Sequence, residues 1–169
     1  KSYYYTDFLW ENDSKVSIPG NKNGKRTIYS NDLFRDYALH FIRENREQPF
    51  FLYLPITIPH ELMEVPALGD YASRDWSNNA KIYAAMATRL DGYVGEIMDE
   101  LDRWDLAKDT LLIFTSDNGP ENKERSEELH SAGSLRGRQG SVYEGGLRVP
   151  MIARWPGFVA EWETNETTW

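Results

Sequence analysis

Apolar positions along the chain follow two different rhythms. From Ser30 to about Arg46, Leu33, Phe34, Tyr37, Ala38, Phe41 and Ile42 recur at spacings of three and four. That spacing predicts an amphipathic helix, with Ser30 as its cap. From about Asn79 to Trp104, Ile82, Met86, Leu90, Tyr93, Val94, Ile97, Met98 and Leu101 make a longer stripe of the same kind, its methionines acting as core filler. Two continuous apolar runs, Phe50-Phe51-Leu52-Tyr53-Leu54 and Leu111-Leu112-Ile113-Phe114-Thr115, are bounded by Pro49 and by turn formers and predict buried strands. Met151-Ile152-Ala153, closed by Trp155-Pro156-Gly157, predicts one more. Strand, long helix and strand make a βαβ unit, so an α/β fold follows. Lys1 to Lys25, rich in Tyr, Asn, Asp and Gly, predicts surface loop with at most a short strand at Tyr3 to Tyr5. The tail from Phe158 to Trp169 carries no pattern, and the chain has no internal repeat or low-complexity tract.

The candidate chemistry sits where the predicted strands end. Asp117 and Asn118 follow the second run directly, and Asn118-Gly119-Pro120 cannot continue a strand. A carboxylate beside a carboxamide offers hard oxygens suited to Ca²⁺ or Mg²⁺, although the same residues favour turns that hold no ligand. His60 follows Pro59 just past the first run, on a loop stiffened by proline. It is either a proton-transfer group or a plainly exposed histidine. Parallel strands of a βαβ unit end at one edge, so His60 and Asp117 are expected together where open α/β sheets bind ligands. His40 lies off the helical stripe and reads as solvated. The stretch from Gly119 to Val142 is polar, glycine-rich and long for an idle loop. Arg136, Arg138 and Arg148 offer planar donors to an oxyanion, and Gly137, Gly140, Gly145 and Gly146 allow the backbone close to a ligand. A solvated charged loop is the equal alternative.

Composition narrows the field. The 169 residues suit one domain, and 19 Lys and Arg against 27 Asp and Glu give a net charge of −8. An acidic balance argues against nucleic acid or an anionic membrane as partner. No run approaches the length of a membrane span, Phe50 to Ile58 being the longest apolar stretch. The absence of Cys excludes disulfides, thiolate metal sites and a cysteine nucleophile within these residues. No secretory signal begins at Lys1, so either the protein is cytoplasmic or its start lies upstream. Asn12-Asp13-Ser14 and Asn165-Glu166-Thr167 match the glycosylation triplet, which is common by chance.

Several stretches, taken together and in order, resemble the sulfatase family. They are Pro49-Phe50-Phe51-Leu52-Tyr53-Leu54 with Pro59-His60, Phe114-Thr115-Ser116-Asp117-Asn118-Gly119, Leu135-Arg136-Gly137, Tyr143-Glu144-Gly145-Gly146, and Arg148-Val149-Pro150 with Trp155-Pro156-Gly157. The likeness is nearest to arylsulfatases of the kind that includes N-acetylgalactosamine-6-sulfatases, and it weakens after Gly157. It implies a sulfuric ester hydrolase of the alkaline phosphatase superfamily, an α/β domain with a mostly parallel sheet flanked by helices. The implied substrate is a sulfate monoester of a sulfated sugar or glycan, and the implied compartment is periplasmic, extracellular or lysosomal. The resemblance further implies one divalent cation, usually Ca²⁺, with Asp117 and Asn118 as metal-binding residues. His60 matches the catalytic histidine, which binds the sulfate and assists the leaving oxygen. Gln139 falls at a substrate-binding position, where either Arg138 beside it substitutes as the substrate-binding cation, the activity is altered, or Gln139 is a variant without much effect. Such an ester needs its charge neutralised and its leaving oxygen protonated, which a metal and an imidazolium supply.

The sequence departs from the family in two places. The family nucleophile is a formylglycine made within Cys/Ser-x-Pro-x-Arg, and Ser17-Ile18-Pro19-Gly20-Asn21 copies only Ser-x-Pro, so it reads as a turn. The paired acidic metal ligands that the family places near its beginning are missing too. Residues 1–169 are therefore expected to be an internal fragment of the catalytic domain. On this expectation the first strands with the nucleophile motif and the C-terminal subdomain lie outside it, and the fragment is inactive alone. Gln139 stands where the family usually has a sulfate-binding lysine, and a carboxamide donates a hydrogen bond without charge. Two alternatives follow: a module that holds sulfated glycans without cleaving them, and a phosphate or phosphonate monoesterase of the same superfamily.

Overall fold

A computed structural model describes residues 4–121 and 128–165. The chain opens with a hairpin of β1 (Phe8–Glu11) and β2 (Ser14–Ser17), registered from Phe8 opposite Ser17 to Glu11 opposite Ser14. Asn12 takes φ +52° at its two-residue turn, a conformation asparagine tolerates well. Lys15 covers the rings of Phe8 and Trp10. The expected loop with a short strand at Tyr3 to Tyr5 is thereby corrected. Tyr4 and Tyr5 are not strand, and Tyr3, like most of the triplet at Asn165, lies outside the described residues. A 3₁₀ turn, Pro19–Gly24, follows and is pinned by buried Asn21. Its amide donates to the Thr6 and Ile28 carbonyls and accepts from the Thr27 and Ile28 N–H groups.

Helix α1 spans Ser30–Glu44 and α2 spans Asn78–Arg103. Ser30 is not the cap expected of it. It is the first helical residue, Tyr29 holds the capping position, and no side chain caps that end. In α2 the Ser77 hydroxyl accepts from Ala80 N at 3.2 Å, which satisfies one of the free amides at the helix start. The inner stripe of α2, roughly 39 Å long at 1.5 Å per residue, supports two clusters. Tyr4, Tyr29, Ile58, Met86 and Tyr93 form one, and Ile42, Ile97, Leu101 and Ala107 form the other. Buried Glu100 joins the helices. Its carboxylate accepts from Trp104 Nε1 (2.8 Å), Arg43 Nε (3.1 Å) and Arg103 Nη1 (2.8 Å). These donors, Trp104 foremost, hold its pKa below the usual carboxylate range despite burial. Asp32 makes a second tie, accepting from Arg89 Nε and Nη2 at 2.7 and 2.6 Å and from the Tyr93 hydroxyl.

The α/β class stands, but the mostly parallel sheet does not describe these residues. Strand β3 (Leu112–Thr115) pairs antiparallel with β4 (Met151–Arg154), from Leu112 opposite Arg154 to Thr115 opposite Met151. Residues 50–54 run without strand hydrogen bonding. Their exposure alternates as a strand's would: Phe50, Leu52 and Leu54 pack on the cluster of Ile42, Ile97 and Leu101, while Phe51 and Tyr53 are 87% and 75% exposed. Leu112 of β3 packs on the same cluster. The predicted layer therefore exists, yet the parallel ladder between its members does not form among the described residues. Burial on a helix fixes which face of a segment turns inward, whereas a ladder also needs a neighbour at about 4.8 Å to take up each N–H.

Candidate active site

Strand β3 ends at Thr115 and the chain turns at once. Ser116 Oγ donates to the Asn118 carbonyl at 2.9 Å, and Asn118 Nδ2 donates to the Gly119 carbonyl at 3.1 Å. With the amide nitrogen spent on the backbone, Oδ1 is the end of the Asn118 side chain left to meet other groups. The turn is locked from behind by glycines. Gly119 N donates to the Gly146 carbonyl at 3.0 Å, and Gly145 N donates to the Arg136 carbonyl at 2.8 Å. A Cβ on Gly119 would lie 1.9 Å from the Gly145 oxygen, and one on Gly146 would lie 2.3 Å from the Arg138 oxygen. Only glycine lets these backbones meet. Gly145 and Gly146 belong to the short helix α3, Glu144–Leu147.

This knot lays the 136–141 loop across the turn. Gln139 N donates to the Pro120 carbonyl at 3.0 Å, and Gln139 Nε2 donates to Asn118 Oδ1 at 3.1 Å. A carboxamide oxygen has two lone pairs, so Asn118 Oδ1 can accept from Gln139 and still face another partner. Asp117 is exposed and makes no hydrogen bond with a described residue. The nearby arginines differ in their engagements. Arg136 stacks on the Tyr143 ring at 3.9 Å and donates to its hydroxyl, and Arg148 pairs with Glu144 at 2.8 Å. The Arg138 side chain is exposed and pairs with none of the described residues.

His60 is also exposed and forms no hydrogen bond with a described residue. It stands on the 55–64 loop, whose anchors were invisible in sequence. The Tyr4 hydroxyl lies 3.1 Å from the Glu61 carbonyl and 3.4 Å from that of Thr57. Burial foremost, then the charges of Glu121 and Glu64, pushes the Tyr4 pKa up to about 12. Glu121 is three residues past Asn118, so Tyr4 lies within electrostatic reach of both loops. A further tie runs from the distal part of the 119–142 loop. Glu128 accepts from Ser77 N and Oγ at 2.8 and 2.6 Å, which lowers its pKa.

The oxygens suit a hard cation but supply only part of a shell. Ca²⁺ takes about six to eight oxygens, and Asp117 with Asn118 offers a carboxylate and one amide oxygen. Among the described residues no group of three or more His, Asp or Glu gathers to hold a metal. Side chains beyond these residues would have to complete the set.

Comparison with known proteins gives the arrangement its context. The model of the family described as Sulfatase matches residues 2–168. An arylsulfatase of Hemicentrotus pulcherrimus is 32% identical over 161 residues, covering 94% of this chain and 27% of that protein. An N-acetylgalactosamine-6-O-sulfatase of Bacteroides thetaiotaomicron is 35% identical over 136 residues, 76% of this chain and 26% of that one. The solved structure of Ps i-CgsB in complex with k-i-k-neocarrahexaose superposes with a TM-score of 0.66 at 32% identity, over 80% of this chain and 30% of that one. The chain thus spans between a quarter and a third of the length of these relatives. A family match over nearly every residue, with the same fold in a solved relative, leaves one assignment: the chain belongs to the sulfatase family.

Proposed function

We propose that residues 1–169 are a central part of a sulfatase catalytic domain, and that the whole protein hydrolyses sulfate monoesters of a carbohydrate. The observation that supports this reading is the 3.1 Å bond from Gln139 Nε2 to Asn118 Oδ1, which sets the 136–141 loop directly on the Asp117-Asn118 turn. Asp117 and Asn118 would hold a divalent cation such as Ca²⁺, which when bound supplies positive charge to a sulfate oxygen. Gln139 and Arg138 donate to the remaining non-bridging oxygens. His60 holds the proton that the leaving sugar oxygen takes up. The carbohydrate class draws support from two relatives, one named for a 6-O-sulfated aminosugar and one solved with a neocarrahexaose. The formylglycine nucleophile belongs to a part of the protein outside this chain, so the chain alone is inactive. No helix among the described residues is long and apolar enough to cross a membrane, and the periplasmic, extracellular or lysosomal placement implied by the family fits this reading.

In the full-length protein, His60→Ala should lower sulfate-ester kcat by about two to four orders of magnitude, the scale of a lost general acid or base. Near-normal kcat would remove His60 from the mechanism. A wild-type protein that binds sulfated glycan and turns over no ester would point instead to the non-catalytic module.

A further inference from the structure

We propose that the strap formed by Tyr4 and Asn31 positions His60, an inference that rests on the catalytic role given to His60 above. The loop from Pro55 to Glu64 belongs to no helix or strand, and among the described residues its backbone makes one local bond, Ile56 N to the Leu54 carbonyl. Side chains from elsewhere hold it instead. Asn31, fully buried, accepts through Oδ1 from Thr57 N at 3.3 Å and from Thr57 Oγ1 at 3.1 Å. Tyr4, 2% exposed, lies between the carbonyls of Thr57 and Glu61 and so brackets Ile58, Pro59 and His60. Ile58 between them is buried in the tyrosine cluster. Farther along, the Tyr29 hydroxyl donates to the Glu64 carbonyl at 2.9 Å. His60 is therefore an exposed side chain on a backbone fixed at both flanks, the arrangement that holds a reacting group in place without occupying its nitrogens.

The ring and the hydroxyl of Tyr4 do separate work. The ring packs on Tyr29 with centroids 5.4 Å apart and belongs to the core, whereas the hydroxyl's hydrogen-bond partners among the described residues are backbone carbonyls of the His60 loop. Like any tyrosine, the phenol is protonated, hence a donor, throughout the neutral range, and burial extends that range upward. Tyr4→Phe keeps the ring and removes the donor. Thr57→Val removes the hydroxyl bond to Asn31 by a change at a residue that is itself exposed.

The test is a double-mutant cycle in the full-length protein with a sulfate ester as substrate. Tyr4→Phe should lower kcat about tenfold with KM within about twofold, as expected when a reacting group is displaced slightly. Thr57→Val should lower it roughly threefold, the loss of one modest hydrogen bond. Neither should lower kcat further in a His60→Ala background. An equal loss with and without His60, or no loss in either variant, overturns the strap. If Tyr4→Phe does not fold, Thr57→Val carries the same cycle, and no His60-dependent loss there overturns it. His60→Ala without effect would sink the catalytic reading itself, a failure visible in that single variant before any cycle is built.

Discussion

The two loops that frame the candidate site are held in opposite ways. The His60 loop is fixed by side chains reaching in: a phenol and an amide, both buried, that bond its backbone from far along the chain. The Asp117-Asn118 turn is fixed by side chains left out, since Gly119, Gly145 and Gly146 bring backbones to distances no Cβ allows. One loop should therefore fail when an atom is removed and the other when an atom is added. On the proposed reading, that asymmetry places precision where an exposed imidazole needs aim and rigidity where oxygens must keep a fixed spacing.

The largest effect is expected at Gly119. An alanine there puts Cβ 1.9 Å from the Gly145 oxygen, a backbone atom that cannot swing aside as a side-chain end would. Overpacking against backbone should cost about 3 kcal/mol. Tyr4→Phe, losing one hydrogen bond, should cost only about 1 kcal/mol. Thermal midpoints of the two full-length variants compare them directly. Should Gly119→Ala unfold no earlier than Tyr4→Phe, glycine contacts are not what holds the turn.

Sequence showed the scaffold better than the site. Ile42, Met86, Ile97 and Leu101 are buried as their period requires, Leu111 to Thr115 contains strand β3, and Met151 to Ala153 is all of β4 but its last residue, Arg154. Periodicity reports the face a residue turns to the core, which burial alone decides. It says nothing about which strands pair, so the antiparallel β3–β4 ladder was out of reach, as was the hairpin at Phe8 to Ser17, where loop-like composition masked alternation. Glu100 interrupts an apolar stripe and makes sense only with Arg43 of the other helix beside it. Tyr4 reaches a carbonyl 57 residues away, and no spacing rule marks such a contact. Asn118 and Gln139 were singled out by turn chemistry, loop character and family likeness, and their mutual bond across 21 residues is a property of the fold.

A second expected effect, of intermediate size, separates the loops by alkali. Burial pushes Tyr4 up to about 12, and Tyr29 and Tyr93 are pushed up further. Above the ordinary tyrosine value of 10, the unfolded chain loses these protons while the folded one keeps them. The stability they contribute is complete below that pH and is lost as pH rises through it toward the folded values. Each such tyrosine adds a slope of up to about 1.4 kcal/mol per pH unit. The contacts that close the glycine-held turn lie between backbone atoms, which do not titrate. Denaturant midpoints followed across this range should fall, and Tyr4→Phe should make the fall shallower by one proton's share. A Tyr4→Phe profile parallel to that of the wild type would mean the phenol is not held protonated by the fold.

The smallest effect is expected at Gln139, the side chain that links the 136–141 loop to the Asp117-Asn118 turn. Its backbone N–H is fixed to Pro120 and its amide to Asn118, so a lysine in its place would start from the same backbone and reach the same oxygen. An ammonium adds charge to a bond that is neutral at present, and charge-assisted bonds are about twice as strong. Gln139→Lys in the full-length protein should therefore tighten inhibition by inorganic sulfate roughly threefold to tenfold, about 0.7 to 1.4 kcal/mol, with kcat/KM rising in step. The competing source of charge is Arg138, because Arg136 and Arg148 are already engaged with Tyr143 and Glu144. An unchanged inhibition constant would assign the role to Arg138, and Arg138→Ala should then weaken sulfate binding by at least as much as the lysine was expected to gain.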